Sequence, residues 1–218
     1  MTIEIEIWSD IACPWCYLGK RRLEEAVAAS GEEVSVRYRS FQLDPTIPRG
    51  SRTPHAEALA TKFNAPAERI REMNGRLEGL GAQAGIDYRF DRYVQANTRD
   101  AHRLLHLAHE RGLGPELKER LMRAQFTDGA WIDDHAQLTD FAVEAGLDRS
   151  EVAAVLASDR YDDAVEADVA QAAAFGATGV PFFVFDRAFA VSGAQPVETF
   201  TLALQKAREA RAVAPAPA

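Results

Sequence analysis

The chain contains two cysteines, Cys13 and Cys16, and their C-x-x-C spacing is typical of a pair that forms and breaks a disulfide. In such a pair one thiolate attacks a substrate disulfide, and the second thiol resolves the mixed disulfide. Cys13 lies at the expected N-cap of a helix, where unpaired backbone N–H groups and the helix dipole favour an anion. We therefore expect a lowered pKa at Cys13, so that Cys13 attacks and the more deeply placed Cys16 resolves.

The same spacing allows two other interpretations. A C-x-x-C can be half of a zinc site that two histidines complete, and His102 and His106 lie four residues apart on one predicted helix. The two cysteines can also be inert structural thiols. Because the histidines bring no compact third and fourth ligand, we predict no metal site.

The segments around the cysteines indicate a β-α-β unit. Residues 3–8 alternate three isoleucines with Glu4, Glu6 and Trp8, which predicts a strand. Pro14 suits the first position of the helix that follows, and Gly31 is typical of its end. A second strand is predicted over 34–41, and such a crossover makes the two strands parallel.

The rest of the chain falls into a helical block and a short β-β-α unit. Apolar residues from about 54 to 176 repeat at helical spacing throughout. Strand character returns at 182–185 and 188–191, followed by a helix from about 197 to 212, and the APAPA tail is expected to fray. The strands can form one sheet only if the helical block is an insertion between its two halves.

Composition excludes several classes of protein. The chain has 218 residues and a formal net charge of −8, which argues against a nucleic-acid or anionic-membrane surface. No apolar run approaches the ~18 residues of a membrane span. Acidic residues occupy the positions where a secretory signal carries positive charge, so we expect a cytoplasmic protein. Two cysteines are too few for a disulfide-stapled scaffold.

Several separate motifs occur in one order along the chain. They are SDIACPWCYLGKRRLE at 9–24, F-x-L-D-P at 41–45, N-T-x-x-A-H-R-L at 97–104, T-G-V-P-F-F-V-F at 178–185 and S-G-A-Q-P at 192–196. Together they resemble the DsbA superfamily of thioredoxin-fold oxidoreductases, specifically its FrnE-like branch. The resemblance implies an α/β protein with a discontinuous thioredoxin-like domain, 1–53 and 177–218, and an inserted α-helical domain at 54–176.

The resemblance also implies a site. Cys13 is similar to the superfamily's nucleophile, and Val180–Pro181 resembles its cis-proline loop, which packs beside the two sulfurs. The N-T-x-x-A-H motif is expected near the cysteines, where it would shape a substrate or glutathione pocket; helix capping is the competing role for its first two residues. A protonated His102 close to Cys13 would lower the thiol pKa. The predicted substrate-binding residues are Pro14, Trp15, Val180, Pro181, Asn97, Thr98 and His102.

The function predicted on this basis is thiol–disulfide exchange, with reduction or isomerisation favoured over net oxidation in a reducing cytosol. No metal or organic cofactor is required, and glutathione is a candidate co-substrate. The expected partner is a disulfide-containing protein or a small thiol or disulfide, without nucleic acid or membrane; a homodimer stays open.

Two alternative functions stay open. The first is a glutathione-dependent isomerase or transferase acting on a small aromatic molecule. It comes from the related branch of 2-hydroxychromene-2-carboxylate isomerases and kappa-class glutathione transferases, which carry a serine where this chain has Cys13. The second is a non-redox binding or holdase-like module.

Overall fold

The computed structural model describes residues 2–213, and in them the strands form one mixed sheet in the order β2-β1-β3-β4. β1 runs parallel to β2 and antiparallel to β3, and β3 and β4 form an antiparallel hairpin. The fraying predicted for APAPA concerns 214–218, which lie outside the described residues. The strands are β1 (Ile3–Ser9), β2 (Val34–Ser40), β3 (Phe182–Phe185) and β4 (Phe189–Ser192).

Helices occupy the chain between β1 and β2, between β2 and β3, and after β4. The first joins β1 to β2, seven lie between β2 and β3, and the last follows β4. None of these helices, over residues 2–213, has the length and apolar character needed to cross a membrane. The helices are α1 (Pro14–Ser30), α2 (His55–Phe63), α3 (Ala67–Gln83), α4 (Arg99–Glu110), α5 (Gly114–Arg123), α6 (His135–Glu144), α7 (Arg149–Leu156), α8 (Asp162–Ala174) and α9 (Val197–Val213).

The alternation predicted for the first strand places its residues on the two faces of the sheet. Ile3, Ile5 and Ile7 are buried in one apolar cluster with residues of α1 and α9. On the opposite face the Trp8 ring packs on Phe175, and its indole Nε1–H donates to the carbonyl of Asp168 at 2.7 Å. β1 is therefore covered on both faces, which fixes the chain where it leaves the strand at Ser9.

The active-site helix begins and ends where the sequence predicts. Pro14 is its first residue after the N-cap Cys13, and Gly31 ends it with a φ of 69°, a left-handed conformation that suits glycine. The strand ends also agree with the prediction to within a residue or two.

The prediction that 54–176 is helical throughout is wrong over 84–98. Those residues form no helix, because Gly85 has a φ of 72° and the aromatic residues that follow point into a cluster beside the cysteines. A π-helical turn, Ala124–Asp128, also follows α5 directly. All seven helices of the block do lie between β2 and β3 in the chain, as an insertion requires, while the two-domain boundaries stay a prediction.

Candidate active site

Both cysteines lie where β1 delivers the chain into α1. Cys13 has an extended backbone as the N-cap, and its carbonyl accepts a hydrogen bond from the Cys16 backbone N–H at 3.0 Å. The two thiols are free and buried, with exposed fractions of 4% and 2%. The sulfur of Cys13 lies 3.8 Å from the carbonyl oxygen of Val180. The first turn of α1 thus brings the two thiols together, and the backbone carbonyl of Val180 contacts the sulfur of Cys13.

The expected lowering of the Cys13 pKa is not what the structure shows. In the free dithiol the pKa of Cys13 is well above its ordinary value, because Cys16 lies against it, burial disfavours the thiolate, and the Asp10 carboxylate repels it. The prediction of a lowered pKa rests on the helix N-terminus and on a protonated His102. It left out the burial of the pair and the nearby carboxylate.

A cavity of about 280 Å³ opens onto Cys13. Four of the six exposed large apolar side chains in residues 2–213 line it, and clustering of this kind is typical of a binding surface. Cys13 lines the cavity, whereas Cys16 does not. Among the two thiols, Cys13 is therefore the one that an entering molecule meets. The exposed apolar residues are Trp15, Leu43, Phe63 and Met73.

Five of the seven predicted substrate-binding residues line the cavity or belong to the segment beside the Cys13 sulfur. Pro14, Trp15 and Thr98 line the cavity. Val180 and Pro181 lie on another side of Cys13, and the bond between them is cis, as the resemblance implies.

The other two predicted residues do not line the cavity. The Asn97 side chain donates to the Ile47 carbonyl at 2.7 Å and accepts from the Arg99 backbone N–H at 2.9 Å, so it ties a loop to the start of α4. His102 is fully buried behind Asp10, with 3.3 Å between its Nε2 and the Asp10 Oδ1.

His102 is placed to act on Asp10 and not directly on the thiols. Burial lowers its pKa, in spite of the opposing effect of the Asp10 carboxylate. Its Nδ1 is buried without a hydrogen-bond partner in residues 2–213, so a second ring proton would have no acceptor. His102 is therefore neutral near pH 7 and does not supply the positive charge that the sequence argument considered.

Asp10 is held as an anion by three donors. Its carboxylate accepts from the Leu43 backbone N–H at 2.8 Å and from the Ala12 backbone N–H at 3.3 Å, in addition to the His102 ring. Burial raises its pKa, but the contacts to His102 and Leu43 and the charge of Lys118 outweigh burial and leave the pKa below its ordinary value. A buried carboxylate thus lines the cavity together with Cys13.

The two histidines of the zinc interpretation have separate partners. His106 Nε2 lies 3.1 Å from Ser40 Oγ and 3.3 Å from Asp168 Oδ2, whereas His102 contacts Asp10. Across 2–213, no group of three or more histidine, cysteine or acidic side chains is arranged to hold a metal ion.

Sequence reasoning missed two tyrosines in the 84–98 loop. Tyr88 and Tyr93 donate hydrogen bonds to the carbonyls of Pro14 and Ala12, at 2.6 and 2.8 Å. Both rings pack in the apolar cluster that contains the cysteines. The signal was present as the aromatic-rich stretch 86–93, which follows a glycine and lacks helical spacing.

Sequence reasoning also missed Lys118 of α5. This lysine is 1% exposed, and its Nζ donates one long hydrogen bond, 3.4 Å, to the Ser9 carbonyl. Burial lowers its pKa to about 8, although the charges of Cys16, Asp10 and Cys13 act in the opposite direction. A lysine between two leucines at helical spacing gives no sign in sequence that it faces the core.

The chain is similar to one protein family and to several individual proteins. A model of the DSBA-like thioredoxin domain matches residues 4–205. A probable DsbA oxidoreductase from Streptomyces coelicolor has 45% sequence identity and a TM-score of 0.94, with 99% of this chain and 93% of that chain covered. The Bacillus subtilis protein YwbO is 29% identical over 75% of this chain and 76% of its own length.

A more distant neighbour shares the fold. The cytosolic disulfide reductase DsbM from Pseudomonas aeruginosa is 16% identical, with a TM-score of 0.66 over 95% of this chain and 99% of its own. A second structure of that protein was determined with GSH.

Proposed function

The chain belongs to the DSBA-like thioredoxin domain family, and we propose that it is a thiol–disulfide oxidoreductase that works through a mixed disulfide on Cys13. The observation that carries this proposal is the position of Cys13, which lines the cavity while Cys16 lies behind it in the same turn of helix. A substrate disulfide reaches Cys13 first, and the second thiol is then within one helical turn of the mixed disulfide.

The reaction follows from that order. The Cys13 thiolate attacks one sulfur of the substrate disulfide, a bond forms between the two sulfurs, and the other substrate sulfur leaves as a thiolate. Cys16 then attacks the Cys13 sulfur and releases the second substrate thiolate. Because the pKa of Cys13 is raised in the free dithiol, attack requires deprotonation and its rate rises with pH.

We propose reduction of substrate disulfides in the cytoplasm as the physiological direction, with glutathione returning the protein to the dithiol. DsbM, which shares the fold, is a cytosolic disulfide reductase with a GSH-containing structure. The proposed chemistry resides in the two sulfurs and needs no metal or organic cofactor.

Equilibration in glutathione redox buffers tests the proposal. Free thiols are counted by an alkylation shift for the unsubstituted protein and for Cys13→Ser and Cys16→Ser. We expect a reversible two-electron transition that both substitutions abolish, and a mixed disulfide with glutathione that accumulates in Cys16→Ser alone. The midpoint redox potential of this transition then shows whether the protein acts as a reductant or as an oxidant. An unsubstituted protein that forms no intramolecular disulfide anywhere in the series contradicts the proposal.

The apolar character of the cavity favours one second candidate, a glutathione-dependent isomerase for a small aromatic molecule. In that reaction glutathione supplies the thiol and the resolving cysteine is dispensable. Turnover of an aromatic substrate that requires glutathione and survives Cys16→Ser would support this candidate over disulfide exchange.

A further inference from the structure

The buried stripe of helix α3 contains one polar side chain, that of Asn74. The other members of the stripe, at helical spacing, are Ile70, Leu77 and Gly81. Asn74 is 9% exposed, and its amide makes no hydrogen bond within residues 2–213. Burial of an amide without a partner is costly, whereas a leucine at this position would continue the apolar stripe. A role in binding would explain why an amide stands there.

The amide of Asn74 faces the cavity that opens onto Cys13. Asn74 lines this cavity, and its amide atoms keep some accessible surface although the residue is buried. Leu77, one turn further along the same face of α3, also lines the cavity and packs in the apolar cluster that contains both cysteines. Helix α3 thus offers a hydrogen-bonding group to a molecule whose sulfur lies at Cys13.

Three further uncharged polar side chains line the cavity, those of His55, Gln95 and Thr98. None of them makes a side-chain hydrogen bond within residues 2–213, and Thr98 does not cap α4 with its hydroxyl. Burial lowers the pKa of His55 to about 4, so its ring is neutral at pH 7. The rest of the lining is mostly apolar, and an apolar cavity with a few polar groups is typical of a site for a small molecule.

The charges along the cavity disfavour an anion. Within residues 2–213 the charged groups that line it are Asp10, Asp44 and Lys62, a formal charge of −1. The buried Asp10 carboxylate lies beside Cys13 in the lining, whereas Lys62 is exposed and its charge is screened by solvent. Glutathione carries two carboxylates and one ammonium. It would meet this carboxylate without a buried cation in the lining, whereas an uncharged molecule would not be repelled.

We propose that the substrate is a small uncharged disulfide whose apolar half binds in this cavity, and that the Asn74 amide recognises an amide or carbonyl group on that half. The inference rests on the proposed function, because attack by Cys13 requires the substrate sulfur at the mouth of the cavity. Glutathione still returns the protein to the dithiol, because that step needs contact with a sulfur and no binding in the cavity.

Three disulfides of different chemistry test the proposal. N,N′-dibenzoylcystamine is uncharged and carries an aromatic ring and an amide on each half. Bis(4-phenylbutyl) disulfide has the same chain length and ring but no amide, and oxidised glutathione is an anion. The dithiol protein is mixed with an excess of each, and free thiols are counted by an alkylation shift over time. Each rate is divided by that of dithiothreitol with the same disulfide, which corrects for intrinsic reactivity.

The unsubstituted protein should distinguish the three disulfides by saturation. We expect half-saturation with dibenzoylcystamine at a concentration about 10-fold lower than with bis(4-phenylbutyl) disulfide, the effect of one hydrogen bond to the ligand. With oxidised glutathione the rate should rise linearly with concentration, because no complex forms. Equal half-saturation for the two uncharged disulfides, or half-saturation with oxidised glutathione below that with dibenzoylcystamine, would overturn the proposal.

Asn74→Leu removes the amide and continues the apolar stripe. We expect half-saturation with dibenzoylcystamine to rise about 10-fold, to the level of bis(4-phenylbutyl) disulfide, while urea denaturation shows no loss of stability. Asn74→Ala should abolish the same preference without filling the cavity. Gln83→Leu makes the equivalent exchange at an exposed position of α3 outside the cavity and is the control. A preference for the amide that survives both Asn74 substitutions contradicts the role of Asn74.

Asp44→Lys tests the effect of charge, because it changes the formal charge of the lining from −1 to +1. At low ionic strength we expect the rate with oxidised glutathione to increase several-fold relative to that with dibenzoylcystamine, and added salt should remove the gain. An unchanged ratio of the two rates would refute the electrostatic part of the proposal. A dithiol that none of the three disulfides oxidises contradicts the proposed function itself, whatever the role of Asn74.

Discussion

The hydroxyl of Tyr88 donates a 2.6 Å hydrogen bond to the carbonyl of Pro14, the residue after Cys13. The hydroxyl of Tyr93 donates in the same way to the carbonyl of Ala12, the residue before Cys13. Side chains from one loop, 84–98, thus hold the carbonyls of the two residues that flank Cys13 in sequence. This loop fixes the backbone at Cys13 from outside the β-α-β unit that carries the cysteine.

Removal of either hydroxyl should loosen the active-site turn. Tyr88→Phe and Tyr93→Phe each leave a carbonyl without its donor, so we expect a loss of about 1 kcal/mol in the free energy of unfolding. Urea denaturation and the rate of thiol exchange measure the two effects. Tyr161→Phe removes a more exposed hydroxyl, bonded to Glu110, and serves as the control. Unchanged exchange rates in both variants would refute the positioning role.

A methyl group at Gly19 should disturb the loop that carries Val180 and Pro181. A Cβ there would lie 3.0 Å from Pro181 Cγ and 3.1 Å from Phe183 Cζ. We expect Gly19→Ala to destabilise the fold by roughly 1–3 kcal/mol, as overpacking usually does, and to slow thiol exchange.

Gly75→Ala is the matched control for that substitution. Gly75 also lies within a helix, but its Cβ would meet no atom within 4 Å. There alanine should stabilise the protein by about 0.5–1 kcal/mol, because glycine is the weaker helix former. Equal effects of the two substitutions on stability would contradict the packing described around Gly19.

The charge of Asp10 should suppress the reactivity of Cys13. Its carboxylate raises the thiol pKa, so Asp10→Asn should lower that pKa and speed alkylation of Cys13 by iodoacetamide near pH 7. Asp44→Asn removes a partly exposed carboxylate that also lines the cavity, and we expect little change. Slower alkylation in Asp10→Asn would show that the carboxylate assists the thiolate.

His55 should make the fold sensitive to acid. Burial lowers its pKa from 6.5 to about 4, and its ring stacks on Phe90 and Tyr93. The unfolded chain binds a proton near pH 6.5 and the folded chain only near pH 4. The contribution of this pKa difference to the free energy of unfolding is therefore fully present above pH 6.5. It is lost as the pH falls to 4, and its size is about 3 kcal/mol.

His55→Phe tests that contribution, because phenylalanine keeps a stacking ring without a titrating group. The difference in unfolding free energy between the variant and the unsubstituted protein should change with pH between 6.5 and 4. A difference that is constant over this interval would exclude His55 as the origin of acid sensitivity.

Phe63 should contribute to the affinity for apolar substrates. Its ring is 55% exposed and lines the cavity, so Phe63→Ala should leave the stability nearly unchanged and raise KM for an aromatic disulfide more than for a small polar disulfide. Leu202→Ala removes a similarly exposed apolar side chain from α9, away from the cavity, as the control. Identical KM changes for the two disulfides would indicate that substrates do not enter the cavity.

The sequence predicts those parts of the site that depend on local pattern. The alternation of Ile3, Ile5 and Ile7 and the Pro14 and Gly31 signals locate β1 and α1, and hence the cysteine pair. These signals are local because successive side chains of a strand point to opposite faces, and because the residues next to a helix end determine where it begins and stops.

The remaining parts depend on contacts between distant segments. The conformation of the 84–98 loop depends on the apolar cluster around the cysteines. The burial of Lys118 depends on the packing of α5 against the sheet, at Ser9 and Tyr38. The Cys13 pKa depends on burial as well as on the neighbouring Cys16 and Asp10, and segments far along the chain produce that burial. Only the family resemblance, through the Val180–Pro181 motif, anticipated one such contact.

The residues that hold Cys13 and the segment before it come from positions far along the chain. Tyr93 binds Ala12, Lys118 binds Ser9, and Val180 contacts the Cys13 sulfur. During synthesis the two thiols therefore leave the ribosome long before the segments that enclose them. Until those segments are made, the thiols are open to oxidants and to other nascent chains. We therefore expect the thiols of early intermediates to be oxidised more readily than those of the folded chain, in which both are buried.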